Sequence, residues 1–196
     1  MSFFNSRQTA MTEEAFFEII GPPLTALGSV PEDGEEFRSP PLDVLAYYRR
    51  AVRLHWVPWF GQGLSVVAVV RQPVDVGLSE ADYTKFLTRV AMAVNGRFPP
   101  IGKGRHPKGL ALGLTLVVLT PEPIKPGDDD VLGKVVTGRP IPRQRAVPLG
   151  VLRVNLGQEA LSFTLANGPE GVFSEPMAVV DCLTPHLRRY VPMLEV

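Results

Sequence analysis

The residues best suited to chemistry lie in a Gly- and Pro-rich stretch, "GRFPPIGKGRHPKG", which covers residues 96–109. Its ionisable basic side chains are Arg97, Lys103, Arg105, His106 and Lys108. Glycines let backbone N–H groups approach an anion closely, and the neighbouring cations supply attraction. We therefore predict that this basic loop binds an anion. The alternative is a solvated connection between two core elements.

The basic loop matches none of the common phosphate-binding motifs. A Walker loop places Gly-Lys-Ser/Thr at the start of a helix that follows a strand. Here Gly104 follows Lys103, and the segment precedes an apolar strand-like run. The dinucleotide fingerprint also needs a strand-to-helix turn. With Phe98 as its only aromatic residue, the loop gives little support for stacking on single-stranded nucleic acid.

A second cationic segment, "TGRPIPRQRAVP", covers residues 137–148 and contains no acidic residue. Its arginines are Arg139, Arg143 and Arg145, which we add to the predicted ligand-binding residues. Alternating prolines favour an extended conformation that would present guanidinium groups to phosphates or to a partner groove. The alternative is that the segment wraps over the acidic ends of its own chain.

Charge is distributed unevenly along the chain, although 20 basic and 20 acidic residues cancel overall. Residues 1–96 carry a net charge of −3, residues 97–153 one of +6, and residues 154–196 one of −3. Such a pattern indicates an anion-binding surface, unless the acidic ends fold back over the basic middle. An anionic ligand or an acidic protein surface is the predicted partner. The balanced totals give nucleic acid weaker support.

No group in the sequence stands out as catalytic or as a metal ligand. A single cysteine excludes an intrachain disulfide and a cysteine-based metal cage. Cys182 and His186 are four residues apart, but Pro185 interrupts the helix that would align them, so we interpret Cys182 as a packing residue. The run "DDD" at residues 128–130 lacks the ligand alternation of a calcium loop and predicts a solvated turn. We predict no cofactor and leave open whether the protein is an enzyme.

The first 53 residues contain two predicted helices. Thr12 can cap a helix that carries Glu13 and Glu14 in its first turn, and Gly21-Pro22-Pro23 would end it. We predict a helical appendage over residues 1–40 and an acidic, exposed linker over residues 30–41, which leads out of it. A second helix is predicted over residues 42–53, because Ser39-Pro40 suits a helix entry and arginines lie at its far end.

The middle of the chain predicts a strand, a helix and a strand. The first strand is the apolar run at residues 64–70, and the second is the run at residues 110–119. Between them, residues 80–95 follow Ser79 as a cap and place apolar side chains at helical spacing, with Asn95-Gly96 as the stop. This order predicts a parallel crossover.

The last third combines an irregular arm with regular elements. Residues 121–148 contain six prolines and three glycines, which predicts a Pro-rich arm or lid over residues 121–149. Alternation at residues 151–165 predicts a β-hairpin, and Ser174 would cap a terminal helix. We predict a single α+β domain spanning residues 1–196, with a mixed sheet of about five strands flanked by helices.

Two hypotheses of function follow from these patterns. The favoured one is a non-catalytic binding or adaptor domain that engages an anionic partner through the basic loop and the arginine segment. The alternative is an enzyme for a small phosphorylated or carboxylated substrate, with the same loop as its anion clamp. Without a signal-peptide pattern or an apolar run long enough to span a membrane, we expect a cytoplasmic protein with no membrane attachment.

Overall fold

A computed structural model of the chain describes residues 10–33, 42–53, 62–97, 112–139, 141, 146–166 and 174–189. These residues form four helices and seven strands. In chain order they are α1 (Glu13–Ala26), β1 (Val30–Asp33), β2 (Asp43–Arg53), β3 (Gln62–Arg71), α2 (Glu80–Arg97), β4 (Leu112–Leu119), α3 (Asp128–Val135), β5 (Ala146–Asn155), β6 (Ala160–Leu165), α4 (Glu175–Leu183) and β7 (Arg188–Arg189).

All seven strands belong to one mixed sheet, in which each strand lies beside the next strand of the chain. Strands β3, β4 and β5 are parallel, and so are β6 and β7, whereas the other neighbours are antiparallel. The α+β class and the parallel crossover are therefore confirmed, with seven strands instead of about five. We call the edge where β3, β4 and β5 begin the amino edge, and the edge where they end the carboxyl edge.

Helices cover both faces of the sheet and divide the core into two clusters. Helices α2 and α3 pack on the face that carries Val66 and Leu116, and helices α1 and α4 pack on the face that carries Val67 and Val117. Strand β6 runs antiparallel to β5, and α4 connects β6 to the parallel strand β7. If this crossover has the same handedness as those that contain α2 and α3, the reversed strand direction places α4 on the other face of the sheet. The near-universal right-handed crossover thus explains this layering.

The predicted helix over residues 42–53 is wrong, because this segment is strand β2. It pairs with β3 along its whole length and with β1 through pairs such as Val30 with Arg49, so β1 also replaces part of the predicted linker. Tyr47 packs in one core cluster and its neighbour Tyr48 in the other, as expected for successive residues of a covered strand. Burial on two faces outweighed the helix-like entry signal.

Helix α1 begins as predicted but does not end at Gly21-Pro22-Pro23. The Thr12 side chain accepts a hydrogen bond from the Ala15 N–H (3.2 Å), which confirms the cap. The helix continues to Ala26 because Phe16, Ile20 and Leu24, spaced at four residues, are all fully buried. That apolar stripe favours the helix beyond the prolines.

The remaining elements largely follow the sequence patterns. Helix α2 is confirmed, with Ser79 Oγ accepting from the Asp82 N–H (3.1 Å), although the helix passes through Asn95-Gly96 and ends at Arg97. The β5–β6 hairpin is also confirmed. Helix α4 follows Ser174, whose side chain makes no cap hydrogen bond, and ends at Leu183.

The aspartate run at residues 128–130 is not the solvated turn that its composition predicted. It forms the first turn of α3, which lies inside the Pro-rich stretch. Asp128 is buried, and the Asp129 carboxylate accepts a hydrogen bond from the Phe163 N–H (3.0 Å). Leu132 and Val135 anchor this short helix in the core.

Candidate functional site

Most of the predicted anion-binding residues lie outside the described part of the chain. Those residues are Lys103, Arg105, His106, Lys108, Arg143 and Arg145. For Arg97 the structure describes only the backbone, as the last residue of α2. Arg139 is described and exposed, and its backbone N–H donates to Thr137 Oγ1 (3.4 Å). These residues therefore remain predictions.

The described neighbours of the two cationic segments nevertheless lie side by side. The basic loop joins α2 to β4, which begins at Leu112, and the arginine segment leads into β5, which begins at Ala146. Leu112 and Ala146 are register partners. The Ile141 N–H also donates to the Ala146 carbonyl (2.9 Å). Both segments therefore connect to neighbouring strands at the amino edge.

A cleft lined by described residues lies at the carboxyl edge. It has a volume of about 330 Å³ and opens to solvent. Its lining consists of Leu78, Glu122, Pro123, Lys125, Asp128 and Arg153. Open α/β sheets commonly bind ligands beyond the carboxyl ends of their strands. The position of the cleft therefore makes it a candidate binding site.

Arg153 is the central charged residue of this cleft, with only 1% of its side chain exposed. One terminal nitrogen, Nη1, donates to Asp128 Oδ2 (2.6 Å), and the other, Nη2, donates to Glu122 Oε2 (3.0 Å). The third nitrogen, Nε, is buried and has no hydrogen-bond partner. Asp128 Oδ2 also accepts from the Lys125 backbone N–H (3.1 Å), which fixes the carboxylate at the start of α3.

Tyr83 of α2 lies near the same guanidinium. The Arg153 guanidinium carbon is 6.0 Å from the centre of the Tyr83 ring, a cation–π distance. Burial raises the pKa of Tyr83 to about 12, although the positive charge of Arg153 and hydrogen bonding to its guanidinium act in the opposite direction. The Tyr83 hydroxyl donates to Gln72 Oε1 (3.4 Å). At neutral pH this phenol is therefore a neutral hydrogen-bonding group.

Cys182 is poorly suited to act as a nucleophile. Burial raises the pKa of its thiol to about 11, and its sulfur lies 3.2 Å from the Val179 carbonyl oxygen, to which the thiol donates. Helix α4 ends at Leu183, so His186 is not on the same helix. The thiolate is the reactive form of cysteine, so a thiol protonated at neutral pH is a poor nucleophile.

Sequence patterns missed the carboxyl-edge cleft because its residues are far apart in the chain. Arg153 alternates with apolar residues in β5, which is also typical of a solvent-facing position. Its partners Glu122 and Asp128 follow β4, some 25 to 31 residues earlier. The available signal was an arginine inside an apolar strand, preceded by a loop rich in carboxylates.

Three further observations concern metal sites, membrane-spanning helices and similarity to known proteins. Within the ranges that the structure describes, no three His, Cys, Asp or Glu side chains form a group that could hold a metal ion. None of the described helices has the length and apolar character needed to cross a membrane. No protein family, curated protein or solved structure matches the chain.

Proposed function

We propose that this protein is a non-catalytic binding or adaptor domain that engages an anionic ligand or an acidic protein surface at the amino edge. The contacting residues would be Arg97, Lys103, Arg105, His106, Lys108, Arg139, Arg143 and Arg145. The observation that carries the proposal is the pairing of Leu112 with Ala146. It brings the connections of two cationic segments, distant in sequence, to adjacent strands.

The sequence distances from this pair are short. Lys108 is four residues before Leu112, and Arg145 immediately precedes Ala146. Adjacent strands are about 4.8 Å apart. The end of each cationic segment is thus tied to a common point of the sheet, which supports a shared anion-binding surface.

The ion pairs of the acidic ends support the same proposal. Glu13 pairs with Arg71, and Asp75 pairs with Arg89 within the acidic first segment of the chain. Glu175, from the acidic last segment, pairs with Arg50. These carboxylates already have cationic partners outside the basic middle. Their pairing argues against the alternative in which the acidic ends neutralise the cationic segments.

Cys182 and Tyr83 give no support to a catalytic function. A general base or nucleophile works best when its pKa lies near the working pH. Burial moves the pKa values of Cys182 and Tyr83 well above neutrality, to about 11 and about 12. Neither group is therefore suited to activate a substrate.

The proposal is tested by titrating the full chain with a poly-glutamate peptide and with a sugar phosphate, at low and at near-physiological salt. We expect affinity for at least one probe to fall steeply with salt, because each charge contact is screened. The double variant Arg105→Ala/Lys108→Ala should lose about tenfold or more in affinity.

A charge-matched control for this experiment is Lys85→Ala/Arg188→Ala, which removes one lysine and one arginine from exposed positions on α2 and β7. The control should bind like the wild type. If both double variants lost the same affinity, the loss would reflect the net charge of the protein and not a site at the amino edge. Binding that ignores salt, or no binding of either probe, would reject the amino edge as an anion site.

A further inference from the structure

Arg153 uses only half of the face that arginine normally offers to a carboxylate. Nε and Nη2 lie on one side of the guanidinium, where a carboxylate can accept two parallel hydrogen bonds. Glu122 accepts from Nη2 alone (3.0 Å), and the buried Nε–H has no acceptor. A buried donor without an acceptor is unfavourable, so the unpaired Nε–H needs an explanation.

The same chain forms the complete arrangement elsewhere. At Arg71, Nε donates to Glu13 Oε1 (2.9 Å) and Nη2 donates to Glu13 Oε2 (2.7 Å), while Nη1 donates to Asp43 Oδ2 (2.6 Å). That two-bond clamp is on an arginine whose side chain is 43% exposed. The incomplete clamp is on the buried arginine that lines a cleft.

Glu122 is the displaceable partner of the Arg153 network. Its side chain is 44% exposed, whereas that of Asp128 is only 7% exposed. The backbone at Glu122 is fixed, since its N–H donates to Thr120 Oγ1 (3.0 Å) and its carbonyl accepts from Asn155 Nδ2 (2.9 Å). The carboxylate can therefore leave the guanidinium for solvent without moving the chain that carries it.

We propose that the carboxyl-edge cleft binds a small molecule with a carboxylate group, which bridges Nε and Nη2 of Arg153 in place of Glu122. Asp128 stays on Nη1, and the displaced Glu122 carboxylate turns to solvent. Lys125 at the cleft mouth supplies a second positive charge, and Leu78 and Pro123 contact a short carbon chain. A volume of about 330 Å³ suits a ligand at the small end of metabolite sizes. No covalent bond changes.

This assignment does not depend on the amino edge, which lies at the other end of the same strands. It explains three observations together: the unpaired Nε, the exposed partner carboxylate and the open cleft that Arg153 and Glu122 line. A purely structural ion pair would account for the Asp128 contact but not for the incomplete side facing Glu122.

The test is calorimetric titration of the full chain with succinate, a short dicarboxylate, against sodium chloride at the same ionic strength. The variant Glu122→Gln removes the internal competitor, and we expect it to tighten succinate binding about tenfold. The variant Lys125→Glu places an opposing charge at the mouth and should weaken binding about tenfold. Both positions are partly or fully exposed, so both variants should fold.

Two controls separate this site from the others. Glu13→Gln removes the carboxylate that clamps exposed Arg71, and Arg105→Ala/Lys108→Ala removes cations of the basic loop. Both variants should leave the succinate affinity unchanged. A loss of binding in the basic-loop variant would place succinate at the amino edge and overturn this inference while supporting the proposed function.

Inorganic phosphate is the second probe, since it is an anion without the planar two-oxygen geometry. Succinate should bind at least several-fold more tightly than phosphate at equal ionic strength. Equal affinities would overturn the carboxylate assignment. Succinate binding that is absent, or that is unaffected by both Glu122→Gln and Lys125→Glu, would overturn the site itself.

Discussion

Arg71 and Arg153 present the same chemistry in opposite environments. Each lies near the carboxyl edge, beside β4 residues Leu119 and Val118 respectively, and each binds two carboxylates. The side chain of Arg71 is 43% exposed and has an acceptor for each of its three nitrogens. That of Arg153 is 1% exposed and leaves one nitrogen without an acceptor.

The difference teaches that the number of ion pairs does not measure their importance. An exposed pair gains little, typically about 0–1 kcal/mol, because water and salt screen it. A buried charge that loses its partner costs about 3–5 kcal/mol, because nothing else compensates it. Arg71 therefore contributes modestly to fastening α1 to the sheet, whereas Arg153 fixes where the start of α3 and the Glu122 turn must lie.

The largest expected effect comes from removing a carboxylate partner of the buried Arg153. Asp128→Ala leaves the Arg153 charge buried with one partner fewer and also removes the acceptor of the Lys125 N–H. We expect a loss of about 3–5 kcal/mol in the free energy of unfolding, measured by urea denaturation.

A double variant provides the matched control for that loss. Asp128→Leu/Arg153→Met replaces the pair by apolar side chains and should be more stable than Asp128→Ala alone, because no unpaired charge remains. A cost below about 1 kcal/mol for Asp128→Ala would mean that Arg153 reaches water and is no different from Arg71.

A smaller effect should appear at alkaline pH, from the tyrosine that faces Arg153. The pKa of Tyr83 is about 12 in the folded protein against an ordinary value of 10, so its contribution to stability is complete below pH 10. That contribution is lost as the pH rises from 10 to about 12, because unfolding then releases a proton. The loss amounts to about 2–3 kcal/mol at most.

Tyr83→Phe should therefore lose less unfolding free energy across this pH window than the wild type does. Tyr47→Phe is the comparison variant, since burial raises the pKa of Tyr47 to about 12 as well, with no contribution from Arg153. The free energy of unfolding is measured below pH 10 and near pH 12 for the wild type and for each variant, and the change between the two pH values is compared. Identical profiles for Tyr83→Phe and the wild type would contradict burial of the phenol in the folded state.

The smallest effect is expected at the exposed Arg71. Glu13→Gln weakens the clamp on Arg71, and we expect a loss of no more than about 1 kcal/mol in the free energy of unfolding. The loss should shrink further in high salt. A loss that matches Asp128→Ala and ignores salt would show that exposure does not separate the two arginines.

Sequence patterns predicted the elements whose periodicity is strong and whose burial is continuous. Strands β3 and β4 are nearly uninterrupted apolar runs, and α2 carries an apolar stripe from Tyr83 to Val94, so each was found close to its actual bounds. Their local preference and their tertiary packing agree. Where they agree, the secondary structure of a segment can be predicted from its own residues alone.

Elements whose structure depends on contacts with distant residues could not be predicted from local sequence. Strand β2 contains helix-compatible residues such as Leu45 and Ala46, and pairing on both sides makes it a strand. Helix α3 has eight residues, too few to display a period, and burial of Leu132 holds it in place. The carboxyl-edge cleft depends on contacts across 25 to 31 residues, which no local pattern records.

The order of the strands has a consequence for how the chain acquires its fold. Because every strand of the sheet neighbours its successor in the chain, each new strand finds its partner among residues already synthesised. Pairing can therefore advance in one direction, from the N-terminal hairpin onward, while the rest of the chain is still emerging from the ribosome. Strand pairing does not need to wait for the far end of the chain, whereas the packing of α1 against α4 does. Early strand pairing lowers the entropic cost of assembling a parallel sheet and shortens the exposure of its apolar strands.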